Sequence, residues 1–124
     1  MNKSLLLNQQ LGRIGENIAA SYLKKKGLRI IERNFKKQYG ELDIIALDKN
    51  ILVAVEVKTR IGDEFGWPEE SVTPRKLREV IYTFEFYKTL HPELPAGMRI
   101  DVIAVDLDHD ARLVELRHIP NVTQ

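Results

Sequence analysis

The chain has 124 residues, the size of one ordinary domain, and its 44% hydrophobic and 30% charged residues are typical of a globular protein with a proper core. It contains no cysteine, which excludes disulfides, thiolate metal sites and cysteine nucleophiles, and which is consistent with a cytoplasmic location. The leucine run near the start is too short for a signal peptide, and no run is long enough to span a membrane. We therefore expect a single domain over residues 1–124 without a membrane segment.

The net charge of +1 is unevenly distributed along the chain. Residues 1–60 carry 12 Lys and Arg against six Asp and Glu, whereas residues 61–124 carry seven against 12. The excess of cations in the first half predicts a surface that attracts phosphate, with Lys36 and Lys37 as candidates. For the lysine triplet at 24–26, a solvated helix end is an equally good explanation.

The first half of the chain predicts one helix and three strands. Apolar residues recur at helical spacing over about residues 7–26, and Gly27 is the residue type that ends a helix in a left-handed conformation. The apolar run 28–35 predicts a strand, and 41–59 predicts a β-hairpin.

The second half predicts a loop, a helix and two strands. The segment 61–72 is rich in glycine and acidic residues and predicts a loop. Thr73, followed by proline, is a good start for a helix over 74–90. Strands are expected within 98–107 and 111–119, so the order of elements predicts an α/β fold in which a central mixed sheet is flanked by helices.

Three charged residues interrupt the apolar strands of the hairpin: Asp43, Glu56 and Lys58. A two-residue turn at 49–50, where Asn50 tolerates the positive φ of such turns, places Asp43 opposite Glu56. Alternate strand residues share a face, so Glu56 and Lys58 point the same way. The pattern predicts two acids and a lysine on one patch of the sheet.

Such a patch suits metal chemistry on a phosphate. Carboxylates are the hard oxygen ligands that Mg²⁺ or Mn²⁺ prefers. A neighbouring lysine can orient the attacking water or stabilise charge that develops on the phosphate. The alternative is a structural ion pair, since buried charges need partners; three charged groups in such apolar strands favour the metal site.

Glu16 adds a fourth charged group on the first helix. It lies off the apolar stripe, among small residues. Gly12 and Gly15 each cost a helix about 1 kcal/mol relative to alanine, which suggests that this face packs closely against another element. A glutamate exposed at the helix edge is the alternative explanation for Glu16.

Seven runs of sequence, spread over about residues 12–122, together resemble a known family: GRIGENIA, ERNF, GELDIIA, VAVEVKTR, FGWPEESVTPRK, RIDVIAV and HIPNV. In this order they resemble the uncharacterised bacterial YraN-like family, uncharacterised protein family 0102. The strand acids and lysine resemble the PD-(D/E)XK nuclease superfamily, and the helix glutamate is similar to that of archaeal Holliday-junction resolvases. The resemblance implies a restriction-endonuclease-like fold, with a central mixed five-stranded sheet flanked by helices.

The resemblance also implies roles for individual residues. Asp43 and Glu56 would bind Mg²⁺ or Mn²⁺, with the carbonyl of Val57 as a further ligand. Lys58 would be the catalytic lysine, and Glu16 corresponds to the helix acid of the resolvase-like branch. A leucine stands before Asp43 where the superfamily pattern often has proline, a tolerated departure.

Three further cations are candidates for contacts to nucleic acid. Arg60 shares the strand face of Lys58 and can hold a phosphate, although a solvated strand end explains it equally well. Arg75 and Lys76 stand at the start of the second helix, where backbone N–H groups already favour anions.

Two functions are consistent with this sequence. The first is a metal-dependent nuclease that hydrolyses DNA phosphodiester bonds, at branched or distorted DNA in repair or recombination. Action on a branched substrate calls for two cuts, so a homodimer is expected with it. The second is a non-catalytic nucleic-acid-binding or scaffolding protein that keeps the nuclease fold.

Overall fold

Five strands form one mixed sheet, and a helix covers each of its faces. The computed structural model describes residues 3–38, 40–62 and 72–123, with side chains from residue 8 onward. The elements are α1 (Lys3–Lys25), β1 (Arg29–Lys37), β2 (Gly40–Asp48), β3 (Ile51–Ile61), α2 (Pro74–Leu90), β4 (Gly97–Leu107) and β5 (Leu113–Ile119). This α/β architecture is the predicted one and is consistent with a restriction-endonuclease-like fold.

The predicted elements are all present, with differences at their ends. The first helix begins at Lys3, four residues before the predicted start, and the last strand begins at Leu113 rather than at residue 111. Most of the predicted loop at 61–72 lies outside the described residues, and β3 extends through Ile61. No described helix combines the length and apolar composition that a membrane crossing requires.

The sheet is antiparallel except at its centre. The strands lie in the sheet in chain order. β3 and β4 are parallel because the crossover through α2 returns the chain to the end of the sheet at which β3 begins. The β2–β3 hairpin has the predicted register, since Asp48 pairs with Ile51. The expected positive φ at Asn50 is wrong: Lys49 adopts it, with φ 54°, as in hairpin turns whose first central residue is left-handed.

The helix α1 packs on one face of the sheet. Its buried residues Ala19 and Leu23 join a core with Ile44, Val55 and other apolar residues of β2, β3 and β4. At Gly15 the helix lies very close to β3, since a methyl group at this position would overlap the side chain of Thr59. The expected close packing therefore holds for Gly15.

Gly12 differs from Gly15 and corrects the sequence-based explanation. It is exposed, and a methyl group added there would meet open space. No packing contact in the described structure therefore offsets its conformational cost in the helix.

The helix α2 packs on the opposite face. Val80, Phe84 and Tyr87 are buried against apolar residues that include Leu42 and Leu52 of the sheet. As predicted, Thr73 caps the helix, because its Oγ1 accepts a hydrogen bond of 3.2 Å from the backbone nitrogen of Lys76. The cap fixes where the first turn of α2 begins over the sheet.

A fully buried aspartate ties the last strand to the rest of the fold. Asp101 accepts hydrogen bonds from Arg99 Nε (3.1 Å) and the backbone nitrogen of Asn121 (2.9 Å), and His118 Nε2 lies 2.8 Å away. The other ring nitrogen of His118 is 3.0 Å from the hydroxyl of Tyr22 on α1. Burial alone would raise the pKa of Asp101, but hydrogen bonds from His118 and Arg99 outweigh it and lower the pKa.

We expect Asp101→Asn to lower the free energy of unfolding by about 2–4 kcal/mol, since it removes the charge that Arg99 and His118 surround. Urea denaturation at neutral pH measures this loss, with the exposed Asp110→Asn as the matched control. Because the folded pKa is depressed, the carboxylate stabilises the fold above its ordinary pKa and the contribution is lost as the pH falls through the folded pKa. Equal stability of both variants would contradict the tethering role.

Candidate functional site

The two hairpin strands separate before they end. The ladder between β2 and β3 stops at the pair Ile44–Val55. Beyond this pair, β2 remains bonded to β1, while β3 remains bonded to β4 as far as Ile61. The sheet therefore opens into a fork, and the next residues on its two sides are Asp43 and Glu56.

The side chain of Asp43 bridges this fork. Its Oδ2 accepts a hydrogen bond of 2.8 Å from the backbone nitrogen of Val57. A residue that hydrogen-bonds across an antiparallel ladder directs its N–H and its C=O toward the same neighbour. The carbonyl of Val57 therefore also faces the fork. There, β2 no longer forms backbone hydrogen bonds with β3.

Asp43 and Glu56 form a neighbouring acid pair in which Glu56 is buried and Asp43 is half-buried. Glu56 is only 3% exposed, and burial, followed by the charge of Asp43, raises its pKa to about 8. Burial also raises the pKa of Asp43, although hydrogen bonds from the Val57 N–H and from Glu56 oppose the shift. Two neighbouring carboxyls in a water-poor site cannot both ionise easily, so the pair retains a proton near neutral pH.

Two lysines act on Glu56 from the α2 side of the fork. Lys76 lies in the capped first turn of α2, and its Nζ is 3.7 Å from Glu56 Oε1. The charge of Lys58, two residues along the same strand, also lowers the pKa of Glu56. Lys76, expected to contact phosphate, thus lies against the acid pair.

A cavity of about 530 Å³ opens on the α1 side of the fork. The residues that line it come from α1, β1, β2 and β3 and are mostly polar: Gln9, Gly12, Arg13, Glu16, Arg33, Asn34, Lys36, Glu41, Asp43 and Val57. The cavity gives a ligand access to one carboxylate of the acid pair and to the predicted helix acid.

Glu16 lies in this cavity with partners of its own. Its Oε1 accepts hydrogen bonds from Arg33 Nε at 2.9 Å and from Asn34 Nδ2 at 3.1 Å. The charge of Glu16 also raises the pKa of Asp43, so the two carboxylates act on one another across the cavity. The structure therefore brings Glu16 to the site and neutralises its charge with Arg33.

The acid pair fits a hard divalent cation in place of its shared proton. Asp43 and Glu56 supply carboxylate oxygens, and the Val57 carbonyl supplies a third protein oxygen, which matches how Mg²⁺ is usually held. In the described part of the chain, no three acidic or histidine side chains are grouped closely enough to hold a metal. Glu16 is therefore suited to contact through water rather than to direct ligation.

Besides Gly12, five residues of the cavity lining were not predicted as site residues: Gln9, Arg13, Arg33, Asn34 and Glu41. Glu41 lies two residues before Asp43 on β2, and strand alternation alone would have placed it on the same side. Arg33 and Asn34 precede the fork on β1, and Asn34 has φ 58°. After glycine, asparagine is among the residue types that most readily adopt this left-handed conformation. An asparagine within a predicted strand was therefore the one sequence signal for an irregularity at this position.

Arg60 does not lie where its predicted role requires. Its Nε is 3.5 Å from Asp106 Oδ1, and its side chain is only 14% exposed. Arg117 also approaches Asp106, at 3.9 Å. The alternative of a solvated strand end is wrong as well, because the guanidinium is largely covered by the protein.

The other predicted phosphate contacts are accessible. Lys36 lines the cavity at the fork. The side chain of Arg75 is 86% exposed and lies 3.7 Å from Glu79. Lys37 is exposed, and its Nζ is 5.7 Å from the ring centroid of Phe86. Lys36 and Lys37 thus serve different surfaces although they are neighbours in the chain, because strand neighbours point to opposite sides.

Comparison with known proteins identifies the family. The chain matches the model described as uncharacterised protein family UPF0102 over residues 15–105. A UPF0102 protein of Syntrophomonas wolfei is 42% identical over 115 residues, which are 93% of this chain and 98% of that protein. A UPF0102 protein of Clostridium botulinum (strain Loch Maree) is 45% identical over 104 residues, 82% of this chain and 83% of that protein. As the sequence motifs predicted, the chain belongs to the UPF0102 family.

Proposed function

We propose that this protein is a metal-dependent nuclease that hydrolyses DNA phosphodiester bonds. The observation that supports this proposal best is the acid pair of Asp43 and Glu56 at the fork, with the Val57 carbonyl and Lys58 beside it. Four such groups at one fork, of which Asp43 and Val57 line an open cavity, exceed what a structural ion pair needs. The resemblance of these residues to the PD-(D/E)XK pattern supports the same reaction.

Each group at the fork has a role in this reaction. Asp43, Glu56 and the Val57 carbonyl would hold Mg²⁺ or Mn²⁺, which would supply polarisation of a phosphoryl oxygen and a lower pKa for a bound water. The ammonium group of Lys58 orients the attacking water or donates hydrogen bonds to the oxygen on which negative charge develops. Arg13 and Lys36, which line the cavity, hold neighbouring backbone phosphates.

The choice of substrate rests on charge and on the resemblance to resolvases. The cation excess of residues 1–60 favours a polyanion, and none of the motifs reads base edges. We therefore propose that the enzyme recognises branched or otherwise distorted DNA by shape, as a homodimer that makes two cuts. A cleavage panel of linear, flapped, four-way-junction and single-stranded DNA tests this choice.

The alternative is a non-catalytic nucleic-acid-binding or scaffolding protein. Its support is that the acids already have partners within the protein: Glu56 pairs with Lys76, and Glu16 pairs with Arg33. If the purified protein cuts no member of the panel with Mg²⁺ or Mn²⁺, this alternative is the better explanation.

Metal binding is the first prediction. Mn²⁺ at about 100 times its dissociation constant should raise the free energy of unfolding by about 2.7 kcal/mol, because only the folded chain presents the site. Asp43→Asn/Glu56→Gln should abolish the effect in calorimetry and in thermal melts. A double variant of exposed acids, Glu85→Gln/Asp110→Asn, is the matched control. Equal Mn²⁺ binding to both double variants would refute the site.

The raised pKa of Glu56 predicts how stability changes with pH without metal. The folded protein keeps this proton up to about pH 8, whereas the unfolded chain releases it at the ordinary value of 4.5. The contribution of Glu56 to stability is therefore complete below 4.5 and falls by on the order of 1 kcal/mol per pH unit until about 8. In EDTA, the stability gained by Glu56→Gln should grow from pH 5 to 8, as urea melts will show. A gain independent of pH would mean that Glu56 titrates normally.

Catalysis is tested at Lys58. Lys58→Ala should reduce turnover by about two to four orders of magnitude while it leaves folding and Mn²⁺ affinity nearly unchanged. Lys49→Asn is the control, because it removes the same charge from the same hairpin at the end away from the fork, and asparagine tolerates the positive φ there. If Lys58→Ala cuts as fast as the wild type, the activity belongs to another site or to a contaminant.

A further inference from the structure

The outer side of α2 carries two exposed aromatic rings. Tyr82 is 64% exposed and Phe86 is 38% exposed, and they lie one helical turn apart. Phe84 and Tyr87 on the same helix are each only 2% exposed and supply its contact with the sheet. The two outer rings are therefore not needed by the core, and their exposure calls for another explanation.

Basic side chains lie at both ends of this pair of rings. Lys37 and the two rings border a cavity of about 220 Å³. Arg75 and Arg78, nearer the start of the helix, border a second cavity of about 420 Å³ whose wall also includes Tyr82. Because Tyr82 belongs to both, these five residues form one continuous surface, which we call the α2 platform.

The cationic side chains of the platform are accessible to an anionic partner. In the part of the chain that the structure describes, Lys37 and Arg78 form no ion pair with an acidic side chain. Arg75 pairs with Glu79, but the arginine is 86% exposed and remains accessible. Two acids of α2 lie one turn from Tyr82: Glu79, which lines the second cavity, and the exposed Glu85.

The platform begins beside the candidate site. Arg75 is adjacent in sequence to Lys76, whose Nζ lies 3.7 Å from Glu56. From Arg75 to Phe86 the helix rises by roughly 16 Å, enough for about five nucleotides at the 3.4 Å spacing of a stacked strand. A strand that leaves the fork on the α2 side would therefore meet the platform directly.

We propose that the α2 platform binds an unpaired nucleic-acid strand, with bases stacked on Tyr82 and Phe86 and phosphates held by the three cations. The inference rests on the proposed function in one respect, that this strand is continuous with the one cut at the fork. Aromatic rings flanked by cations recognise single strands because only unpaired bases expose their faces for stacking. A duplex would offer the rings nothing but its backbone.

The composition of the platform disfavours a protein partner. The centres of protein interfaces are depleted of charged residues, whereas here Arg75 and Arg78 on one side and Lys37 on the other flank the two rings. Leu90, one turn beyond Phe86 and 49% exposed, is the feature that a second copy of the chain would use instead. A self-association surface is therefore the competing outcome of the test.

The test measures binding of a short labelled oligothymidylate by fluorescence anisotropy in EDTA, where no cleavage occurs. Tyr82→Ala/Phe86→Ala should raise the dissociation constant by about 30-fold or more, because two stacking contacts are lost. Tyr82→Phe/Phe86→Tyr keeps both rings and should bind within about twofold of the wild type. Leu90→Ala, an exposed apolar residue of the same helix outside the platform, should change nothing.

Three results would overturn the proposal. The first is an unchanged affinity of Tyr82→Ala/Phe86→Ala for the single strand. The second is an equal loss of affinity for a fully paired duplex, which would show that the rings do not distinguish unpaired bases. The third is a dimer that dissociates in this variant while single-strand binding persists, which would make the platform an interface between copies.

Cleavage assays separate this inference from the nuclease proposal. If the wild type cuts, the ring variant should lose activity on a duplex with an unpaired tail and retain it on a blunt duplex. If the wild type binds the single strand through these rings but cuts nothing, the platform is supported and the nuclease proposal fails.

Discussion

The site depends on one constraint, the separation of β2 from β3 beyond the pair Ile44–Val55. A fork inside a sheet leaves backbone groups without partners, and unsatisfied buried groups are costly. Asp43 satisfies one of them by accepting from the Val57 N–H. Asp43, which partners a backbone group at the fork, is thus also the residue that we propose as a metal ligand, so the opening in the sheet and the proposed chemistry arise together.

Side chains of both helices reach the fork, although the helices pack on opposite faces of the sheet. The glycine at position 15 lets α1 approach Thr59 of β3, and this close contact sets the position of the next residue, Glu16. On the other face, the threonine cap fixes the first turn of α2 and places Lys76 against Glu56. A continuous sheet would have kept these charged groups apart.

Two buried acids show how environment separates structure from chemistry. Asp101 is surrounded by donors from Arg99, His118 and the chain end, and its pKa is lowered. Burial, followed by the charge of the neighbouring Asp43, raises the pKa of Glu56 to about 8. The first arrangement stabilises the fold, whereas the second retains a proton near neutral pH, the kind of perturbation that clusters at functional sites.

The sequence by itself determined the elements and the hairpin register, because apolar periodicity, caps and turn residues act over a few positions. It therefore predicted that Asp43 and Glu56 are neighbours, and short motifs predicted the family. Contacts between elements distant in the chain were decided only by tertiary packing. Lys76 turned to Glu56 rather than to solvent, Arg60 was covered beside Asp106, and Gly15 but not Gly12 met another strand. These outcomes depend on how helices sit on the sheet, which no local pattern encodes.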